Sequence, residues 1–334
     1  MDTNEETFLM MDSQCVEGVA SVVYNNWYLA MQILQILTDI ITVITVCRTR
    51  SYVAKKLIHK DAMFLIDAIL LAFILHAVSF SLTQTHHIVY DTFFVHSNCE
   101  LLLSNFTCMF VKIGTQCYTI FLSLMFIVQC VERTVATFFK DKYQEIGHVF
   151  WKVTTLVTFL IAVFLVTLVY YKDINDPVEL PSCWMHTHAS KIRVDTKYYG
   201  LIITDSIALV WMFLLYLKNK RINNRLVESL HAKYQVRENN EITQIILICG
   251  SFYSILIIIH AGSNMIRRSI GLQIVVYRVL GMFFYCLSYA NLAYISVLYY
   301  LLKRKENKKR KNIQQETSIA KHHALTAYFS QYRW

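Results

Sequence analysis

The sequence predicts an all-α integral membrane protein, a bundle of seven transmembrane helices, on three observations. Seven long apolar runs alternate with polar loops, and the basic residues fall almost entirely in every second loop. The runs also lack the polar face that a soluble helix keeps toward water. Hydrocarbon about 30 Å thick needs about 20 apolar helical residues to cross it. Composition agrees: 55% hydrophobic residues, mean hydropathy +0.39, 21 Tyr and 20 Phe, against 8 Gly and 2 Pro in 334 residues.

Residues 1–26 read as an extracellular segment, with Asp2, Glu5, Glu6, Asp12 and Glu17 but no Lys or Arg. The bundle follows over 27–302, with spans at Trp27–Cys47, Ala62–Thr83, Leu101–Val131, Val149–Tyr171, Gly200–Leu217, Ile242–Gly262 and Ile274–Leu302. The first run is too long for a signal peptide and has no basic stretch before it, so it stays as the first span. Pro177 and Pro181 share one loop, so no span carries a proline kink. No internal repeat relates the two halves. A basic cytoplasmic tail occupies 303–334.

Lys and Arg near span ends resist translocation and set orientation. The loops after spans one, three and five, with the tail, hold 24 of them, and the opposite face holds 6. Lys112 and Arg278, inside spans, complete the 32. This places the N-terminus outside and the tail inside a plasma membrane. The net charge of +9 then points to an anionic inner leaflet and not to nucleic acid. Lys303–Lys311, with seven basic residues in nine, reads either as a lipid-binding patch, at about 1 kcal/mol per basic residue, or as a stop-transfer cluster.

Nine cysteines exclude a complete disulfide framework. Cys47, Cys117, Cys130, Cys249 and Cys286 fall in or at the inner ends of spans, where they act as small apolar residues. On the outer face Cys99, at the top of span three, and Cys183, in the loop after span four, form the natural pair, with Cys15 as the competing partner. The sequon at Asn105 falls within span three, out of reach of glycosylation.

Charges inside spans are costly and face a partner or a cavity. Asp39 lies in span one, Asp67 in span two, and Lys112, Asp205 and Arg278 in the outer halves of spans three, five and seven. With His76 and His260 at similar depth, and Tyr118, Tyr277 and Tyr285, they could converge on one mostly apolar ligand pocket. The structural alternative pairs Lys112 with Asp205 and lets Arg278 snorkel to the headgroups. The loop histidines His86, His87, His96, His186 and His188 have no fixed metal-ligand spacing, so neither a metal nor another cofactor is expected.

Span three ends in Glu132-Arg133, and its run ERTVATFFKDKYQ resembles the third-helix terminus of nematode serpentine chemoreceptors. Ser229–Asn239, with Lys233-Tyr234-Gln235 and Glu238-Asn239, is similar to the S-L-x-x-[RK]-Y-Q-x-x-E-N signature of that group. The Cys99/Cys108 spacing and Ile74-Leu75-His76 agree. These motifs resemble class AB of the Sra-like superfamily most, with class alpha as the near rival, over about residues 20–300. Lys112 departs from the Arg expected after the paired cysteines. Asn291-Leu292-Ala293-Tyr294 replaces the N-P-x-x-Y of rhodopsin-like receptors, and span six lacks their C-W-x-P hinge.

The resemblance implies a G-protein-coupled chemosensory receptor of sensory-neuron cilia, with a small-molecule ligand outside and a heterotrimeric G protein inside. In that reading Glu132, Arg133, Lys233, Tyr234, Gln235, Glu238 and Asn239 form the signalling face. Two other classes compete. A transporter or channel would show inverted repeats or discontinuous helices, and neither is evident in the sequence. A membrane zinc hydrolase needs His or Asp ligands on its last helices, yet 274–302 contains no His, Asp or Glu. No nucleophile–base pair or phosphate loop appears elsewhere, so no enzymatic activity is expected.

Overall fold

Apolar residues continuous around a helix leave the backbone only itself to bond with in hydrocarbon, so every long run closes into an α-helix. The computed structural model describes residues 25–56, 60–93, 105–139, 148–171, 191–223, 230–270, 274–283 and 285–331. The described helices are α1 (Asn26–Lys56), α2 (Lys60–Phe93), α3 (Asn105–Phe138), α4 (His148–Tyr170), α5 (Lys191–Asn223), α6 (Leu230–Ile270), α7 (Ile274–Phe283) and α8 (Leu287–Gln331). Seven stretches of them are long and apolar enough to cross a membrane, the last running from Val279 to Asn307 across α7 and α8. Asn25 caps the first helix, its Oδ1 accepting from the Trp27 amide at 2.9 Å.

The helices outrun the apolar segments that announce them. α5 begins at Lys191 instead of near Gly200, and α6 at Leu230 instead of Ile242. An apolar run measures only the part in hydrocarbon, whereas helical bonding continues through any residue of fair propensity. The same reasoning explains α8, which passes from the membrane through the basic segment to Gln331 without interruption.

Span seven departs from expectation. Its apolar run is continuous in sequence, but α7 stops at Phe283 and α8 restarts at Leu287. The spanning backbone is therefore discontinuous, without a proline. An opened helix in lipid needs other partners for its backbone groups. The Met282 carbonyl accepts from the Tyr285 amide at 3.2 Å and from the Gln35 Nε2 of α1 at 2.7 Å, and Ala290 N bonds Cys286 O at 2.8 Å.

α3 sits at the centre, packed against α2, α4, α5 and α6, and α8 closes the ring against α1 and α6. In the membrane-crossing window of α3, 72% of residues are buried, against 22% in α4, which lies at the periphery. α4 turns Phe150, Leu156, Leu160 and Phe164 outward, the surface that lipid would cover. Hydroxyls within the spans are spent locally: Thr38, Thr42, Thr45, Thr158 and Thr167 each donate to the carbonyl four residues back. Close approach of α6 to α3 depends on Gly250, where a Cβ would stand 2.5 Å from Phe126 Cζ.

Candidate functional site

Three features of the bundle could do chemistry or signal. The first is at the end where α3 leaves the membrane. Glu132 and Arg133 are fully buried, and the guanidinium grips both carboxylate oxygens of Glu132, its Nε donating at 2.5 Å and Nη2 taking the other oxygen. Arg133 Nη1 donates to Asn239 Oδ1 of α6 at 3.0 Å. Asn239 Nδ2 in turn donates to Thr137 Oγ1 of α3 at 3.1 Å and Asn219 Oδ1 of α5 at 3.2 Å, and Asn219 reaches Thr243 at 3.1 Å. Alongside, Trp211 Nε1 donates to Thr134 Oγ1 at 3.0 Å. One buried polar cluster therefore ties α3, α5 and α6 together.

A second network occupies the middle of the bundle. Asn291 of α8 accepts a short hydrogen bond from the Tyr118 hydroxyl of α3 and donates to His76 Nδ1 of α2 at 3.2 Å. With Nδ1 accepting, the imidazole proton stands on Nε2, 3.0 Å from Tyr285 Oη. His76 also packs on Tyr118, with centroids 4.2 Å apart, and Phe80 stacks on Tyr285 at 4.5 Å. His260 meets the edge of Tyr285 at 5.4 Å. These rings fill the space between α2, α3, α6 and the start of α8.

The third feature is a cleft of about 420 Å³ between α3, α4 and α5, walled by Ser123, Leu165, Leu168, Lys197 and Gly200 among others. It lies toward the opposite end of the bundle from Arg133, since α3 and α5 run parallel and Lys197 stands near the start of α5. Arg193 Nε donates to Val169 O at 2.8 Å, and Lys197 Nζ donates to Gln116 Oε1 at 2.5 Å and rests 4.0 Å from the centre of the Tyr198 ring. Asp205 is fully buried beside the cleft residue Thr204, and neither of its oxygens has a hydrogen-bond partner within 3.5 Å.

Against this geometry, a family model for serpentine-type seven-transmembrane GPCR class ab chemoreceptors matches residues 10–334. The chain belongs to that family. It is a seven-transmembrane receptor of a chemoreceptor family, and that family is not an enzyme class. Among curated proteins, none matches it.

Within this class ab receptor, four of the eight sequence-derived pocket residues, His76, Tyr118, His260 and Tyr285, come together as the packed ring cluster. Asp205 is fully buried, next in the chain to the cleft residue Thr204. The side chains of Lys112, Tyr277 and Arg278 lie outside the described residues, as do those of Lys233, Tyr234 and Gln235; Cys99, Cys183 and Cys15 also lie outside them. On the signalling face, Asn239 of α6 makes the contact to Arg133 described above. Asp67 pairs with Arg50 at 2.5 Å, which accounts for one intramembrane carboxylate, and Asp39 accepts from Ser81 at 3.3 Å. Among the described residues no group of three or more His, Cys, Asp or Glu could hold a metal ion.

Sequence reading missed Arg193 and Lys197, which it assigned to a loop, and undervalued Asn291. The basic pair is spaced i, i+4, a helical spacing that also occurs by chance in loops. Asn291 appears in sequence only as a departure from a known motif.

Proposed function

We propose that this protein is a G-protein-coupled chemosensory receptor of the sensory-cell plasma membrane, with its N-terminus outside. A small molecule binds in the outer half of the bundle, and the Arg133 end signals to a heterotrimeric G protein. The observation that carries this reading is the buried Glu132–Arg133–Asn239 cluster. A fully buried ion pair contributes little net stability, because desolvation offsets its Coulomb attraction. Arg133 also reaches across to α6, so the cluster is suited to holding two helices in one of two arrangements.

In the resting arrangement Arg133 is held by Glu132 and Asn239. Separation of α6 from α3 breaks the Asn239 bond and presents the guanidinium to the G protein. Lys233, Tyr234, Gln235 and Glu238, on the turns of α6 that precede Asn239, then flank the docking face. The basic segment from Lys303 onward faces the anionic inner leaflet. A ligand drives the change only by its differential affinity for the two arrangements.

Glu132→Gln should raise ligand-free output in a reporter cell, and Arg133→Ala should abolish output at unchanged surface expression. Normal expression of Glu132→Gln with unchanged basal output would refute the lock.

A further inference from the structure

We propose that the cleft between α6 and α8, at the Arg133 end of the bundle, binds the phosphate of an anionic phospholipid of the inner leaflet, with Arg304 and Lys305 as its cationic contacts. That this end is cytoplasmic, and that the lipid bears on signalling, rests on the receptor reading above.

The cleft arises because α8 does not stop where its apolar run ends. It continues past Leu302 into the basic segment, alongside the turns of α6 that follow Asn239. There the two helices enclose about 290 Å³. Lys305 pairs with Glu241 across it at 2.7 Å. Leu301, one turn back along α8, and Ile245 and Ile248, further along α6, wall the side toward the membrane. A phospholipid has the same order of chemistry, with its phosphate at the interface and its glycerol and first acyl carbons beneath. Basic pockets between spanning helices on the cytoplasmic side take such headgroups.

Charge at the polar end is unbalanced. Glu241 is the one acid among the described residues that line the cleft, and Arg237 Nε shares it with Lys305, at 3.1 Å. Arg304 lines the same cleft and is exposed, and among the described residues it has no hydrogen-bond, ion-pair or ring partner. Three cations therefore stand against one carboxylate. A guanidinium fork matches phosphate oxygens. The side chains of Lys305 and Glu241 are 38% and 30% exposed, and an ion pair this open to solvent contributes little. Lys305 can thus turn from Glu241 to a phosphate at small cost. Its departure loosens α6 from α8 two residues beyond Asn239, the residue that holds Arg133. Lys303 provides the contrast: it belongs to the same basic run, but its Nζ stands 5.8 Å from the centre of the Tyr299 ring, and it is not a wall of the cleft.

The test uses the full-length receptor in phosphatidylcholine nanodiscs carrying a trace of photoactivatable phosphatidylglycerol or, in parallel, photoactivatable phosphatidylcholine. Crosslinked peptides are mapped by mass spectrometry. Phosphatidylglycerol is expected to label 244–248 and 301–305 at least tenfold over phosphatidylcholine, and unlabelled phosphatidylglycerol should compete it away. Arg304→Gln should cut the labelling at least fivefold and Arg304→Lys should retain most of it. Both should melt with the parent, since Arg304 holds no other group. Lys303→Gln removes the same charge from the same run and should leave labelling within twofold. Glu241→Gln frees Lys305 for the phosphate and should raise labelling severalfold.

Equal labelling by the two lipids would overturn the proposal in favour of unselective lipid contact. Equal losses in Lys303→Gln and Arg304→Gln would overturn it in favour of a diffuse basic surface. Displacement of the lipid by millimolar inorganic phosphate would overturn it in favour of a soluble anion. Crosslinking needs no G protein and the Glu132→Gln experiment needs no change of lipid, so one reading can fail without the other.

Discussion

Replacing Asn239 by Ala tests the helix lock more sharply than either charge substitution, because it leaves the Glu132–Arg133 pair intact. The change removes three side-chain hydrogen bonds: from Arg133 Nη1 at 3.0 Å, to Thr137 at 3.1 Å and to Asn219 at 3.2 Å. Neutral side-chain bonds between membrane helices average about 0.6 kcal/mol, and a bond to a charged group contributes about 1.5 kcal/mol or more. All three are made only while α6 lies against α3 and α5. Their joint loss therefore weakens the resting arrangement by about 3 kcal/mol, on the order of a hundredfold in the equilibrium between arrangements. Measured as ligand-free reporter output per receptor at the cell surface, Asn239→Ala should rise toward the ligand-saturated level of the parent. Basal output within twofold of the parent, at equal surface expression, would show that the cluster is structural packing and not a switch.

Other consequences are equally checkable. Gln35→Leu strips the side-chain partner from the Met282 carbonyl at the break in span seven. The carbonyl keeps the Tyr285 amide, so the loss should lower stability by about 0.5–1.5 kcal/mol, read as a fall in the melting temperature of the detergent-solubilised receptor. Gly250→Val would drive a side chain into the Phe126 ring and should cost about 1–3 kcal/mol; Phe126→Leu in the same chain should recover part of it. Cys99 and Cys183, if bonded, close a loop of about 84 residues and should add about 4 kcal/mol in the chain-entropy model. Losing either should then cause retention in the secretory pathway, and losing both should be no worse; mass spectrometry joining Cys183 to Cys15 would refute the pairing.

What the sequence discloses and what it hides divide along a physical line. Seven spans were legible because insertion into hydrocarbon is a property of local composition, and seven stretches of the described helices are long and apolar enough to cross a membrane. Glu132 and Arg133 were legible because adjacent charges at a span exit are conspicuous, and the burial of both follows from the position of α3 at the centre. Lys197 was hidden because apolar runs mark the hydrocarbon and not the helix, so a residue before the run was assigned to a loop although α5 had already begun. Asn291 was hidden for a different reason. Its importance comes from Tyr118 and His76, which lie more than 170 positions away in the chain and are brought close only by folding. The break after Phe283 belongs with it, since the Gln35 that completes it is 247 residues distant.

That break changes how span seven carries force. A continuous helix is a stiff rod, so tilting one end tilts the other. Here the rod has a joint, with α7 above it held to α1 through Gln35 and Met282, and α8 below it running unbroken to Gln331. Tyr285 sits in the joint, bonded to His76 and stacked on Phe80. Besides the backbone, α7 and α8 are therefore linked through side chains: Tyr285 to His76 of α2, and His76 to Asn291 of α8.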